Sequence, residues 1–408
     1  VNTDVAVVGA GALGLSTALH SALLGRSVVV LDRRAPGSQA SGRAAGLFKS
    51  VQGDEIRTFL ARRSIEKART FEAWAGVPLP VAQSGSLLVA RSAGHKALLA
   101  AEAAQSRGWG VELAAISPAE AAGRSGGYYQ AAGDEDVVWC PEDVYIEEPS
   151  ALVASYLDAC QQLGVQVLAD EAVTAVLTTG GAISGLETAA RRIDTPVVVD
   201  AAGAWVRQVG ALAGARVPAA PVRHQLLITE PTAEVAAGAP ITRLLDHAVY
   251  LRPARGGLMV GGFESRPLPV DPRTEPPDFD TDSVPLDLGV LHQMTDQVAS
   301  QVPVAGQAGV AEHRGGMFTM SPDGRFLAGP VPEVPGLWVA SGCNGSGFSS
   351  SPAIGEALAG WIATGQPERD MSALAPSRFG PLADEVLVER GVWQYAHYYD
   401  PMAAPPAR

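Results

Sequence analysis

The sequence predicts an α/β plus β protein. One domain is built on a parallel sheet and is discontinuous along the chain; the other consists of mixed, mainly antiparallel strands. Three observations lead there. Val5-Ala6-Val7-Val8, a glycine turn and an Ala/Leu-rich stretch open the chain and run into a second apolar run ending at Asp32, as a βαβ unit does. A strand feeding a glycine turn returns in the middle, from Val197 to Trp205, and again late, from Leu337 to Phe348. Short strands and turns fill the segments between. The 408 residues, 47% hydrophobic and 18% charged, hold enough apolar material for two cores and exclude a disordered chain.

Taken in order, the opening strand is apolar at every position, as a parallel strand covered on both faces must be. A helix follows over 13–24, the second strand over 27–31, and another helix over 56–74. From 77 to 139 the pattern is short strands and turns with a helix over 96–105, a first excursion into the second domain. An amphipathic helix over 149–163 precedes strands at 165–168 and 172–176. Strands are expected at 225–229, 249–252 and 258–261, then a proline-rich link over 267–285. A strand at 337–341 and a helix over 352–362 close the pattern. These signals assign residues 1–76, 142–215 and 325–375 to a Rossmann-like nucleotide-binding domain. Residues 77–141 and 216–324 form a substrate domain, and 376–408 a C-terminal extension.

Composition narrows the function. The formal net charge of −13 argues against a nucleic-acid binder and against an anionic membrane surface. Cys140, Cys160 and Cys343 lie far apart without metal or redox spacing, so no metal site is expected and a reducing, cytoplasmic setting fits. The apolar stretch from Val5 to Leu31 is broken by glycines, Ser16, His20, Ser21 and Arg26, which rules it out as a membrane span.

Gly9-Ala10-Gly11-Ala12-Leu13-Gly14 is a G-x-G-x-x-G turn between strand and helix. Gly9 makes the turn, Gly11 lets the backbone approach a pyrophosphate, and Gly14 lets the helix lie close to the strand. Ala12 and Leu13 begin the helix whose free N–H groups face the phosphates. Asp32 is placed to accept hydrogen bonds from ribose hydroxyls. This turn serves FAD and NAD alike, and two other segments separate them. Residues 36–46 hold Ser38, Ser41 and Arg43 among small residues and can wrap the far side of a pyrophosphate, which an NAD domain does not need. Ser341-Gly342-Cys343-Asn344-Gly345-Ser346-Gly347-Phe348 forms a second strand–loop–helix junction. A helix N-terminus there would stabilise the negative charge of reduced flavin. FAD is therefore the expected cofactor.

With Ser-Gly-Arg-Ala-Ala-Gly-Leu at 41–47, Asp200-Ala201-Ala202-Gly203-Ala204-Trp205 and the late loop, the sequence resembles the D-amino-acid-oxidase family of flavoenzymes. His224-Gln225, Thr229-Glu230-Pro231, Val249 to Pro253, Gly257 to Glu264 and Met320 to Gly324 narrow the resemblance to its sarcosine- and dimethylglycine-oxidising branch. The resemblance implies that Arg33, Ala44, Ala45, Gly46, Val173, Ala202, Gly203, Trp205 and Gly316 also meet FAD. In the late loop it implies Gly342, Asn344, Gly345, Ser346, Gly347 and Phe348. His224 would orient the amine or take its proton, and Tyr250 would hydrogen-bond to substrate or to His224. Arg252 shares a strand face with Tyr250 and is a candidate partner for a substrate carboxylate.

The implied activity is FAD-dependent oxidation of a secondary or tertiary amine, often an N-methyl amino acid. Hydride passes from the carbon next to nitrogen to flavin N5, and water hydrolyses the resulting imine to a smaller amine and an aldehyde. Two alternatives stay open: a glycine or D-amino-acid oxidase acting on primary amines, or an FAD-carrying subunit of a larger complex. The electron acceptor is either oxygen or an electron-transfer protein. Departures from the family pattern matter too. The segments that carry a flavin-linking His or Cys in some relatives read Arg43 and Gly315-Gly316-Met317-Phe318 here, so FAD is expected to be non-covalent. Ser349 and Phe318 stand where relatives hold substrate carboxylate with Lys or Arg, and Met259 where some hold a Lys over the flavin. The sequence ends at Arg408 before any counterpart of the relatives' folate-binding half, so direct delivery of a one-carbon unit to tetrahydrofolate is not expected. The tail from Val392 to Asp400 holds three of the eight tyrosines. It is expected to anchor on its own chain, the other readings being a cap over the site or a contact with a second copy in a homo-oligomer.

Overall fold

In the computed structural model, residues 1–400 are described. Six strands form the first sheet, in the order Leu327–Pro330, Leu337–Ser341, Val198–Asp200, Val5–Val8, Val28–Leu31, Gln166–Leu168. All pairings are parallel except the first, where Leu327–Pro330 runs antiparallel to its neighbour. Alternate residues of the opening strand go to different cores. Val5 and Val7 face the helices Ala12–Leu23, Glu55–Arg69, Pro149–Gln162 and Gly347–Thr364. Ala6 and Val8 face a three-stranded sheet (Val173–Thr179, Ala182–Thr188, Arg192–Asp194) and the short helix Val206–Leu212. Two buried faces explain the unbroken apolar run.

The second sheet has eight strands. From one edge inward it runs Val310–Met320, Ala220–Thr229, Gly257–Gly262, Val249–Ala254 and Ile241–Leu244, all antiparallel. One face buries Leu227, Val249, Leu251 and Val260 against the helices Leu288–Val298 and Pro303–Gln307. Side chains on the opposite face point toward the first sheet's domain. Register carries a single row across that face: Arg243 opposite Tyr250, Tyr250 opposite Gly261, Gly261 opposite Leu226, Leu226 opposite Arg314.

Several boundaries differ from the sequence reading. The helix expected over 56–74 breaks at Thr70 into Glu55–Arg69 and Phe71–Ala75. The late helix starts at Gly347 rather than 352, and Pro352 lies inside it. A proline cannot donate to the carbonyl four residues back; Ser351 Oγ donates to that carbonyl, Phe348 O, at 2.8 Å. The strand expected at 225–229 extends over Ala220–Thr229. Its partner Val310–Met320 went unseen because Glu312, His313, Arg314 and two glycines hide the alternation. The tail contains the helix Asp384–Ala396, packed so closely that a Cβ on Gly391 would lie 2.7 Å from Ala220 Cβ. Residues 401–408 of the predicted extension lie outside the described residues.

Candidate active site

A cavity of about 460 Å³ is lined from both sheets, within the range of small-molecule sites. At one end its walls are backbone. Gly9 has φ +109°, and a Cβ there would lie 2.4 Å from Ala201 O. A Cβ on Gly14 would lie 1.9 Å from Gly9 O, so the helix can seat on the turn only with glycine at that position. Gly11 is different: its Cβ would meet only Ser41 Oγ, at 3.1 Å. The helix Ala12–Leu23 has no acid in its first turn and a glycine at its N-cap. Ser41 Oγ accepts from Ala12 N at 2.9 Å.

Asp32 accepts from Ala10 N at 2.7 Å through one carboxylate oxygen and from Arg34 N at 2.9 Å through the other. Burial raises its pKa against the pull of these two bonds. Beside it the Arg33 guanidinium lies 4.7 Å over the Trp205 ring.

At the other end the walls are side chains. His224 stacks on Phe318 with ring centroids 4.1 Å apart and planes 16° apart. Its Nε2 is 2.8 Å from Tyr250 Oη and its Nδ1 is 2.7 Å from Tyr395 Oη. Burial, with the charge of Lys49 added, pushes the His224 pKa down to about 3. Burial pushes the Tyr250 and Tyr395 phenols up. The trio is therefore neutral, with one phenol donating to the imidazole and the other accepting from it. Tyr250 lies over Gly261, where a Cβ would come within 2.3 Å of its Oη. Phe263 stacks on Tyr398 at 4.0 Å, and Lys49 Nζ donates to Tyr398 Oη at 2.9 Å.

A family model described as FAD dependent oxidoreductase (DAO) matches residues 4–361. The chain belongs to this family. Mouse mitochondrial sarcosine dehydrogenase is 29% identical over 97% of the chain but 44% of that protein. The 4-methylaminobutanoate oxidase (formaldehyde-forming) of Paenarthrobacter nicotinovorans is 30% identical over 91% of the chain and 45% of its own length. The chain thus spans about half the length of the curated relatives it matches. Among solved structures, the L-proline dehydrogenase from P. horikoshii superposes with TM-score 0.83 at 22% identity, covering 93% of this chain and 98% of that one. This likeness shows the FAD-dependent oxidoreductase fold.

FAD is the cofactor of this family, and the backbone end of the cavity fits it. A phosphate needs close backbone approach and free helix N–H groups, which the Gly9–Gly14 turn and the first helix supply. Of the residues expected at FAD, Gly9, Gly11, Ala12, Leu13, Asp32, Arg33, Ser41, Arg43, Ala44, Ala45 and Gly46 line the cavity. So do Val173, Ala202, Gly203, Trp205, Gly316, Gly345, Gly347 and Phe348.

Five others do not line it. Gly14 is consumed by helix packing. The Ser38 carbonyl accepts from Arg43 Nε at 3.2 Å. Gly342 packs against Leu327. Asn344 Oδ1 accepts from Ser321 N at 2.9 Å, and Ser346 O accepts from Ser350 N at 2.9 Å. These residues brace the loops that form the walls.

Arg252 is a clearer correction. It is fully buried off the cavity wall, and its guanidinium is spent on three backbone carbonyls: Ala45 at 2.7 Å, Pro253 at 2.6 Å and Glu147 at 2.8 Å. It ties the substrate-side strand to the cofactor loop, and its burial off the wall keeps it from a ligand in the cavity. Met259 lies on the sheet face that carries Tyr250 but not on the cavity wall, enclosed by Leu226, Ile228 and Ala254. Sequence reasoning missed Lys49 and Phe263, and took the tail with Tyr395, Tyr398 and Tyr399 first as an anchor on its own chain and only second as a cap over the site; all but Tyr395, which holds His224 from behind, line the cavity. The signal for Lys49 was faint: it directly follows the two-residue strand Leu47–Phe48, whose alternation continued by one residue would put it on the face of Leu47.

Proposed function

We propose that this chain oxidises a secondary or tertiary amine of the N-methyl amino acid kind, releasing a smaller amine and an aldehyde after imine hydrolysis. The observation that carries this reading is the neutral Tyr250–His224–Tyr395 trio at the side-chain end of an FAD cavity. FAD, when bound, supplies the two-electron acceptor for hydride leaving the carbon next to nitrogen. Tyr250 Oη is the group that meets the amine nitrogen. Both His224 nitrogens are taken by phenols, so His224 acts through Tyr250, setting the direction of its O–H. A low His224 pKa keeps that end free of a fixed imidazolium, which favours the neutral amine that can release hydride. Phe318, Phe263 and Tyr398 exclude water and offer apolar surface to N-alkyl groups.

The sheet assignments support the division into a discontinuous FAD domain and a substrate domain at the boundaries given above. FAD is held without a covalent bond in this reading. Arg43, the residue at one linkage position, pairs with Asp282 at 2.7 Å, and residues 315–318 contain no cysteine. The test is an anaerobic screen of amines for bleaching of the flavin absorbance. N-Methyl amino acids are expected to bleach it and primary amino acids to do so much more slowly. The reverse order moves the chain to the primary-amine oxidases, and no bleaching by any amine discards the reading. Flavin that stays with acid-precipitated protein contradicts non-covalent binding.

A further inference from the structure

Four cationic side chains of different surroundings line the cavity, and three are already engaged. Arg33 donates to the Phe279 and Pro277 carbonyls, Arg43 pairs with Asp282, and Arg314 pairs with Glu312 at 2.6 Å. Lys49 has no carboxylate within 4 Å among the described residues; Arg33 shares that lack, but its guanidinium is held by the two carbonyls. Its hydrogen bond to Tyr398 Oη uses one of three ammonium donors, leaving two for the cavity. Burial works to strip its proton, but the facing phenols of Tyr398 and Tyr399 outweigh burial and hold its pKa above the usual lysine value.

A second cation stands behind it. Arg243 is the cross-strand neighbour of Tyr250, its side chain is 4% exposed, and its Nε and Nη2 have no hydrogen-bond partner among the described residues. The nearest carboxylate, Asp143, is 3.6 Å from Nη2 and already accepts from Ser50 N at 2.7 Å, Ser50 Oγ at 2.6 Å and Ser86 Oγ. Arg243 thus has a carboxylate beside it but N–H groups at Nε and Nη2 without an acceptor, and buried charged donors left unpaired are costly. The residues at the two positions where relatives hold a carboxylate are engaged otherwise: Phe318 stacks on His224, and Ser349 Oγ donates to Ser346 O at 3.2 Å.

We propose that Lys49, with Arg243 behind it, is the anchor for the carboxylate of an amino-acid substrate whose nitrogen meets Tyr250. This rests on the amine reading above and adds to it that the substrate is an anion at one end. Lys49 Nζ donates to the carboxylate directly, Tyr398 Oη holds the ammonium in place, and Arg243 supplies charge without contact. The cavity thereby reads nitrogen and carboxylate from different strands.

The test uses the FAD-loaded protein and probes that cannot be oxidised: short alkanoates from acetate to butanoate, and alkanols of equal length. Binding is read from the shift in the flavin spectrum. Wild type is expected to bind alkanoates and to prefer them to alkanols. Lys49→Gln is expected to raise the alkanoate Kd by about ten- to a hundredfold, the range of a charge-assisted hydrogen bond, with alkanol affinity unchanged. Lys49→Arg is expected to restore most of the loss. In turnover, the KM advantage of an N-methyl amino acid over the matching N-methylalkylamine is expected to shrink in Lys49→Gln.

An unchanged alkanoate Kd overturns the proposal, as does equal weakening of alkanols, which would mean a collapsed cavity. If Lys49→Gln does not hold flavin, the wild type decides alone: equal affinity for alkanoates and alkanols overturns the anchor. A protein whose flavin no amine bleaches loses the amine reading while the alkanoate titration still answers for Lys49. Bleaching with a flat alkanoate titration removes the anchor alone.

Discussion

The two ends of the cavity are built by opposite means. The cofactor end consists of backbone and small residues: Gly9, Gly11, Ser41 and Gly345 give way so that main-chain N–H groups can approach a ligand. The far end is crowded by rings, with His224, Tyr250, Phe263, Phe318, Tyr395 and Tyr398 in mutual contact. In the first, a missing side chain makes the site; in the second, side chains from five separate segments make it. A change at the first end should therefore act on flavin retention, and a change at the second on chemistry with flavin retained.

The largest effect expected is at Gly14. Gly14→Val places atoms into the Gly9 carbonyl, so neither a folded first helix nor bound flavin should be recovered. Gly11→Val should instead fold, with a thermal midpoint close to that of the apo wild type, yet lack the flavin absorbance. Two variants failing alike would break the distinction between packing and cofactor glycines. Asp32→Ala is the milder version of the second, since it releases the Ala10 and Arg34 amides. Equilibrium dialysis should show FAD affinity weaker by about 1.5–3 kcal/mol.

At the ring end, Tyr250→Phe keeps the flavin spectrum and slows anaerobic flavin reduction by about 10²-fold, the range for a misplaced reactant. Gly261→Ala should mimic it without touching the phenol, by pushing the Tyr250 ring aside. Normal reduction in Gly261→Ala would show that the position of Oη is not critical.

Acid should unfold this protein early. His224 and His20 are both held near pKa 3 by burial, well below the ordinary value of 6.5. A depressed folded-state pKa contributes stability that is complete above about pH 6.5 and is lost as pH falls toward 3. Urea midpoints should fall through that window, and His224→Gln should flatten the slope by one proton's share. The smallest effect expected is from Tyr395→Phe. It removes one neutral hydrogen bond to His224, about 0.5–1.5 kcal/mol, and so should slow flavin reduction by about tenfold or less. A tenfold change in FAD affinity instead would place the tail helix at the wrong end of the cavity.

The same contrast explains what the sequence made legible. The cofactor end is encoded locally: each glycine turn sits between its own strand and helix, so spacing alone locates it. Asn344 and Ser346 misled because a loop that touches a ligand also contains residues that hold the loop, and the two kinds share composition. Arg252 misled for a different reason. Strand alternation gave its face correctly, but the Ala45 and Glu147 carbonyls that claim it lie more than a hundred residues away in sequence. Lys49 was invisible as a site residue for that reason too, and Tyr395 could be placed no more closely than in a tail that anchors or caps: their partners, Tyr398 and His224, are brought near only by the tail helix.

The order of strands in the six-stranded sheet has a consequence for how the chain reaches this state. Val198–Asp200 sits between Val5–Val8 and Leu337–Ser341, and the first helix packs so tightly on the last long one that a Cβ at Gly355 would touch Ser16. During synthesis the first helix must wait for more than three hundred residues before its partner helix Gly347–Thr364 arrives. Contacts so distant along the chain make folding slow and leave Val198–Asp200 with an unpaired edge in any chain that stops before Leu337. Because the helices Ala12–Leu23 and Gly347–Thr364 both bound the cavity, FAD can bridge them only as a late step, and its binding energy then acts as the latch on the finished sheet.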